Sequence, residues 1–174
     1  MPPVLILDLA SSWMPAVAGE LGPGAGPLVM NNSSYAEPFV LFEVAGNTCG
    51  VRSRNVQSVE SPGNVTAIPN AVPFVEGITL TPGNIIPSIS LRTRFGFPAI
   101  PADARARMLV VRSGVSTIRM LVDSAREFTS IPADAIQPPG EGVASFIARY
   151  VEGIATLGNR SVLVLNLDEL IQGV

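Results

Sequence analysis

One stretch of the chain recurs 76 residues later, and this repeat constrains the fold more than any other feature. The first copy, residues 74–91, contains an apolar run, a Pro-Gly-Asn turn and a second apolar run. The second copy, residues 150–167, has the same order around a Gly-Asn turn. Short β-branched runs that flank turn residues are typical of hairpins, so the repeat predicts two similar small β units. A chance match in a chain rich in Gly and Val is the alternative.

The rest of the chain also has the spacing of an all-β protein. About eight to ten short strand-like runs are separated by turn signals roughly every 8–12 residues, which is typical of a sandwich or a barrel. Residues 132–142 hold three prolines and are predicted to be largely loop. Residues 145–150 fit a helical turn. A short terminal helix is predicted to start at residues 168–171, with Asp168 as a candidate N-cap.

Residue types on which many enzymes and metal sites depend are missing. The chain has no His, no Lys and a single Cys, Cys49. This composition excludes His-containing catalytic triads, His-containing zinc sites, Schiff-base lysines and the lysine of a phosphate-binding loop. We interpret Cys49 as a small buried apolar residue. Glu76 with Glu152, and Asp168 with Glu169, are possible carboxylate pairs that we interpret as surface charges. We therefore expect no catalytic residue, no cofactor and no metal.

Composition also limits the classes of partner. The net charge is −3 and the pI is about 4.9, which argues against a nucleic-acid partner. No apolar run approaches the ~18 residues of a membrane helix, and no positive n-region of a secretory signal precedes Arg52, the first basic residue. The mean hydropathy of +0.40 indicates strands buried on both faces or an apolar surface for a partner. We expect a soluble, cytoplasmic protein without membrane insertion.

Residues 1–37 differ from the rest and are predicted to form an N-terminal extension before a single domain over residues 38–174. Within the extension, residues 21–27 (LGPGAGP) are typical of a flexible linker. Residues 4–17 include Trp13, the only Trp of the chain. They have two interpretations: a short strand or helix packed on the domain, or a docking peptide for another protein.

Several short motifs, in their order and spacing, resemble one known family. The motifs are Phe39-Val40-Leu41-Phe42, Val56-Gln57-Ser58-Val59, Ile68-Pro69-Asn70-Ala71, Phe74-Val75-Glu76-Gly77-Ile78, Ile85-Ile86-Pro87, Leu91-Arg92 before Phe95-Gly96, Leu121-Val122-Asp123-Ser124 and residues 151–170. Together they span roughly residues 38–171. On these motifs the chain is identified as a member of the CheW-like domain family, the adaptor module of bacterial chemosensory pathways.

This resemblance implies a fold and a function. The fold is two packed five-stranded SH3-like β-barrels that share a hydrophobic seam. The function is a non-enzymatic adaptor that couples a methyl-accepting chemoreceptor to a CheA-type histidine kinase near membrane receptor arrays. In the family, the kinase's CheW-like regulatory domain contacts a barrel, and a groove between the barrels takes the receptor's cytoplasmic tip. The alternative is a specialised CheW-like module that binds a single partner, or itself, in a motility-related pathway.

The resemblance also assigns partner-binding positions and shows departures from the family pattern. The matching positions are Val56, Gln57, Gly77, Gly83 and Gly153. The departures are Pro82 in place of a receptor-contacting Arg, Ser58 in place of an acidic residue, and Ser90 in place of an Asp. Because Pro offers none of the five side-chain donors of Arg, we expect an unchanged kinase contact and a weakened receptor contact. Each Gly also has a purely structural interpretation, a turn that needs positive φ.

Overall fold

The computed structural model describes residues 35–174, in which eleven strands and three short helices follow one another. The strands are β1 (Ala36–Val44), β2 (Asn47–Arg52), β3 (Val56–Glu60), β4 (Val75–Thr81), β5 (Asn84–Ser90), β6 (Arg107–Ser113), β7 (Ser116–Val122), β8 (Ser124–Pro132), β9 (Ile136–Gln137), β10 (Val151–Leu157) and β11 (Arg160–Leu165). The helices are α1 (Leu91–Arg94), α2 (Ser145–Ala148) and α3 (Leu167–Ile171), and 3₁₀ turns lie at Ser53–Asn55 and Ala133–Ala135.

The strands form two sheets, and this confirms the predicted pair of SH3-like barrels. One sheet has the order β8-β1-β2-β11-β10-β9 and is called the first barrel; the other has the order β3-β6-β7-β5-β4 and is called the second barrel. In each sheet a single pair of strands is parallel, β2 with β11 and β5 with β7. The first barrel has six strands instead of the expected five because the two-residue strand β9 pairs with β10.

The repeat seen in the sequence is present in the structure. Strands β4 and β10 begin 76 residues apart, and the same spacing separates β5 from β11 and α1 from α3. Both hairpins contain a β-bulge at the same place, before Gly77 in β4 and before Gly153 in β10. The prediction of two similar β units is therefore confirmed.

A shared hydrophobic seam joins the two barrels. The matched pair Ile89 and Leu165 is 0% and 2% exposed, and the matched pair Leu91 and Leu167 is 0% and 8% exposed. All four side chains belong to one apolar cluster that also contains residues of β1, β2, β6 and β7. The constant spacing of the repeat predicts that these equivalent positions are buried alike, and the structure confirms it.

Strand β1 explains why the chain is so apolar. Phe39 and Leu41 point into the interior of the first barrel, whereas Val40 and Phe42 point into the seam. Since alternate residues of a strand face opposite sides of the sheet, a strand covered on both faces needs an unbroken apolar run.

The N-cap predicted for the terminal helix is wrong. Helix α3 begins at Leu167, and Asn166 accepts hydrogen bonds at its Oδ1 from the backbone N–H groups of Asp168 (3.0 Å) and Glu169 (3.3 Å). Asn166 has the extended backbone of an N-cap, whereas Asp168 is already in the first turn, where its carboxylate accepts a hydrogen bond from Ser113.

Two other predictions concern segments at the edges of the domain. In residues 52–59 the three-residue spacing of Val56 and Val59 fits a helical turn or an edge strand equally, and the structure contains both, the 3₁₀ turn followed by β3. Residues 4–17 and 21–27 lie outside the described residues, so their interpretations stay predictions. Across residues 35–174, none of the helices has the length and apolar character needed to cross a bilayer.

Candidate partner-binding surface

Six of the seven residues predicted to face partners lie in the second barrel, and Gly153 lies in β10 of the first. Those in the second barrel are on β3, on β4 and in the turn between β4 and β5. The exposed residues are Gln57, Pro82 and Gly83, the buried ones are Val56, Gly77 and Gly153, and Ser58 is half-buried. The structure therefore brings three predicted residues to the surface and buries three others.

Gly77 and Gly153 are explained by close backbone packing. Gly77 has φ +148°, and a Cβ there would lie 2.7 Å from the carbonyl carbon of Thr66 and 2.8 Å from Cγ1 of Val65. A Cβ on Gly153 would lie 2.6 Å from Cγ2 of Ile136. Both glycines let a neighbouring segment lie close against the hairpin at the bulge, where a side chain has no room. Neither requires a partner to account for it.

The turn between β4 and β5 carries an exposed apolar surface. Gly83 has φ +78° after Pro82, whose ring restricts its own φ to the value that a turn needs at this position. On the flanking strands, Leu80 and Ile85 lie opposite each other and are 67% and 66% exposed. We call Leu80, Pro82 and Ile85 the apolar tip. Sequence reasoning pointed to Pro82 but missed Ile85, because only the cross-strand pairing brings Ile85 next to Leu80.

Ser58 is part of a polar network that sequence reasoning missed. The Ser58 hydroxyl donates to Oε2 of Glu60 at 2.8 Å, and Arg119 donates to Oε1 of the same carboxylate at 3.2 Å. Residues two apart on a strand share a face, so Glu60 places an acidic group beside the position where Ser58 departs from the family pattern. The alternation along β3 was the available signal for Glu60.

An ionic cluster lies at one end of the seam. Glu37 accepts from Arg52 (3.1 Å) and from Arg54 (2.7 Å), and Arg52 also donates to Glu152 (2.5 Å). Burial alone lowers the pKa of Arg52, but hydrogen bonds and charge attraction from Glu152 and Glu37 raise it above its ordinary value. Exposed ion pairs contribute only about 0–1 kcal/mol, so the cluster sets the charge pattern of the surface more than it stabilises the fold.

Beside the ionic cluster, residues of both barrels line a cleft of about 190 Å³. Arg52 and Glu152 come from the first barrel, and Ser113 comes from the end of β6 in the second. The cleft, which we call the seam cleft, offers paired charges and polar groups at the junction of the barrels. The family resemblance implies a partner groove between the barrels, and the seam cleft also lies between them.

Cys49 is fully buried in the seam, and burial raises the pKa of its thiol to about 12. A thiol with such a pKa carries almost no thiolate, the nucleophilic form, at neutral pH. The interpretation of Cys49 as a small apolar core residue is confirmed. Among residues 35–174, no group of three His, Cys, Asp or Glu side chains is arranged to hold a metal ion.

Comparison with known proteins agrees with this arrangement. A family model, the CheW-like domain, matches residues 38–174. The chain is 26% identical over 138 residues to the chemotaxis protein CheW of Klebsiella aerogenes, covering 79% of this chain and 83% of that protein. It is 28% identical over 139 residues to protein FrzA of Myxococcus xanthus, covering 78% and 86% of the two chains.

A solved structure is also similar. The crystal structure of the scaffolding protein TtCheW from Thermoanaerobacter tengcongensis superposes with a TM-score of 0.70 at 28% identity, covering 76% of this chain and 90% of that one. Both barrels and the seam between them thus have counterparts in a known scaffold. On the match over residues 38–174, this chain belongs to the CheW-like domain family.

Proposed function

We propose that this protein is a non-enzymatic adaptor that couples a chemoreceptor to a CheA-type histidine kinase. The observation that carries the proposal is the match of the CheW-like domain to residues 38–174, which include the seam and nearly all of both barrels. A relative named as a chemotaxis protein and a structural neighbour named as a scaffold support it. The work of such an adaptor is done in the cytoplasm, at the receptor arrays.

The structure offers two surfaces of different chemistry for this task. The apolar tip presents Leu80 and Ile85 at the end of the second barrel, and the seam cleft presents Arg52 and Glu152 between the barrels. A helix that binds in a groove contributes apolar side chains on one face and polar ones at its border. We therefore place the helical end of the receptor across the seam cleft and the apolar tip of this protein. We place the kinase's regulatory domain at a barrel end.

Pro82 favours a variation on this function. The side chain of an Arg at this turn would reach acidic or carbonyl groups of a receptor helix, whereas Pro82 adds apolar surface beside Leu80 and Ile85. The receptor contact of this chain is then apolar, and it selects a receptor other than those that bind the Arg of the family pattern. In the limiting case the protein is a specialised module that binds a single partner, or itself, in a motility-related pathway.

Calorimetry with two fragments tests the proposal. One is the CheW-like regulatory domain of the kinase, and the other is the soluble cytoplasmic tip of a chemoreceptor, both from the same genome as this chain. We expect binding of each fragment and a ternary complex in which the protein bridges them. Leu80→Ser/Ile85→Ser should weaken the receptor contact, whereas the matched control Ile100→Ser, at a residue 54% exposed in the loop between α1 and β6, should not. Absence of binding to both fragments would contradict the adaptor function.

A further inference from the structure

One row of residues crosses the whole second barrel at the level of the predicted partner-binding positions. Backbone pairing places Ser58 beside Val110, Val110 beside Arg119, Arg119 beside Ser88, and Ser88 beside Gly77. Directly paired residues of neighbouring strands share a face of the sheet. The row therefore runs from one edge strand, β3, to the other, β4, with Arg119 at its centre.

The first barrel contains the equivalent row with different chemistry. Pairing there runs from Glu127 through Leu41 and Gly50 to Val164 and Gly153. Val164 and Gly153 lie 76 residues after their counterparts in the second barrel, so Gly50 is the counterpart of Arg119. A Cβ at Gly50 would lie 2.9 Å from Cδ2 of Leu41, because this side chain fills the space that an arginine occupies in the other barrel.

Arg119 is 5% exposed and makes polar contacts toward both edge strands. Its Nη2 donates to Glu60 of β3 at 3.2 Å, and its Nη1 donates to the hydroxyl of Thr79 on β4. The Thr79 hydroxyl lies 3.2 Å from the hydroxyl of Ser88, which is fully buried. In the first barrel, the residues that correspond to Thr79 and Ser88 are Ala155 and Val164, both buried and apolar.

Stability alone does not account for Arg119. Removing an ion pair from water costs free energy that the pair only partly recovers, and apolar replacements of such pairs are often neutral or stabilising. The first barrel shows that the same row folds with apolar residues, because Leu41 and Val164 fill it. What Arg119 adds is a fixed distance between groups on two strands that are not neighbours in the sheet.

The two barrels are closed by different means. In the first, β8 passes through a 3₁₀ turn of three residues into β9, which pairs with β10 at two positions. In the second, five residues separate Glu60 from Thr66, and Thr66 forms an isolated bridge to Ile78 of β4. The longer segment and the single bridge leave β3 less firmly held to β4 by backbone hydrogen bonds.

We infer that Arg119 is a positioning residue that closes the second barrel and fixes β3 relative to β4. The inference rests on the proposed function, because the surface that Arg119 shapes is the one carrying Gln57 on β3 and the apolar tip beyond β4. Arg119 itself contacts no partner in this arrangement, since it is buried. It sets the separation of β3 and β4, two strands that a partner contacts at the same time.

Hydrogen exchange tests the closure without any partner. The variant Arg119→Met/Thr79→Ala/Ser88→Val gives the second barrel an apolar interior. The changes at Thr79 and Ser88 introduce the residues that the first barrel has at the equivalent positions. We expect a folded protein in which the amides of β3 exchange about tenfold faster or more, while β6 and β7 keep their protection. Arg112→Met, at an exposed arginine of β6, is the matched control and should exchange as the wild type does.

Arg119→Lys keeps the inference testable should the triple variant not fold. An ammonium group has one nitrogen in place of the two guanidinium nitrogens that contact Thr79 and Glu60 separately, so we expect it to hold the two strands less firmly and β3 to lose protection again. Unchanged protection of β3 in either folded variant overturns the closure by Arg119.

Binding measurements separate this inference from the proposed function. With the kinase regulatory domain and the receptor fragment as probes, we expect the Arg119 variants to lose about tenfold in affinity for at least one of them, and Arg112→Met to lose none. A variant with a loosened β3 and wild-type affinity for both probes overturns the positioning role. If the wild-type protein binds neither probe, the adaptor function fails, and the exchange of β3 still decides whether Arg119 closes the barrel.

Discussion

Gly77→Ala is the substitution that best separates a structural glycine from a partner-binding one. The family resemblance assigns Gly77 to the partner surface, but the structure buries it against Thr66, which pairs with Ile78 of β4 next to the bulge. Its φ of +148° is a backbone conformation that L side chains rarely adopt. An added methyl group therefore meets both an unfavourable backbone angle and a backbone neighbour that has no room to move.

Gly83 provides the matched control, because it isolates the backbone contribution. It has φ +78°, and a Cβ added there would meet nothing within 4 Å, so Gly83→Ala should cost only about 1–2 kcal/mol. At Gly77 the overpacking against Thr66 adds roughly 1–3 kcal/mol to a backbone cost of similar size. For a domain of this size 1 kcal/mol lowers Tm by about 2–4 °C. We expect a Tm loss of roughly 4–20 °C for Gly77→Ala and roughly 2–8 °C for Gly83→Ala.

Thermal unfolding by circular dichroism measures these shifts, and calorimetry with the kinase and receptor fragments measures binding at a temperature where both variants are folded. If Gly77→Ala melts within about 2 °C of Gly83→Ala, the steric argument is wrong. A Gly77→Ala protein with wild-type Tm and abolished binding would show that the glycine contacts the partner. Wild-type binding by the folded Gly77→Ala protein would support the structural role.

Four further outcomes are expected. Pro82→Arg should strengthen binding to the tip of a standard chemoreceptor by roughly ten- to a hundredfold and leave kinase binding unchanged, since a charged hydrogen bond contributes ~1.5–3 kcal/mol; equal affinity of the wild type and the variant for that tip would refute it. Leu91→Ala and Leu167→Ala should each cost ~2–5 kcal/mol in denaturant unfolding, and unchanged midpoints would refute the duplicated core. Removal of residues 1–31 should leave cooperative unfolding intact, whereas loss of the folded domain would contradict the predicted boundary. Burial holds the Cys49 proton more tightly when folded, so stability should fall as pH rises from about 9 toward 12, and Cys49→Ala should reduce that slope.

The parts of the fold that the sequence predicted are those encoded locally. The hairpins of residues 74–91 and 150–167 carry their turns and apolar runs within eighteen residues, so both were visible without knowledge of the tertiary structure. The buried pairs among these residues followed from the constant spacing. The candidate site was predicted less well, since Gly77 and Gly153 are buried by segments that come from outside the repeat.

Features that depend on pairing between strands far apart in the chain could not be predicted from the sequence. Arg119 lies in an ordinary strand pattern, and only the parallel pairing of β7 with β5 makes it the counterpart of Gly50. These two residues are 69 positions apart instead of 76, so the repeat gave no sign of the match. The N-cap Asn166 was missed for a different reason, because element ends are uncertain by one or two residues and two polar side chains were available.

The division between seam and interior explains why the two copies have diverged unevenly. A seam residue such as Leu91 packs against side chains from both barrels, so a change in its volume must be accommodated by two sheets at once. An interior residue such as Thr79 or Ala155 contacts its own barrel alone, and a change there can be balanced by a neighbour in the same row. Arg119 opposite Val110, and Gly50 opposite Leu41, are two such balanced solutions. Because the edge strands β3 and β4 carry most of the predicted partner surface, divergence in the interior of the second barrel reshapes that surface while the seam, and with it the fold, is preserved.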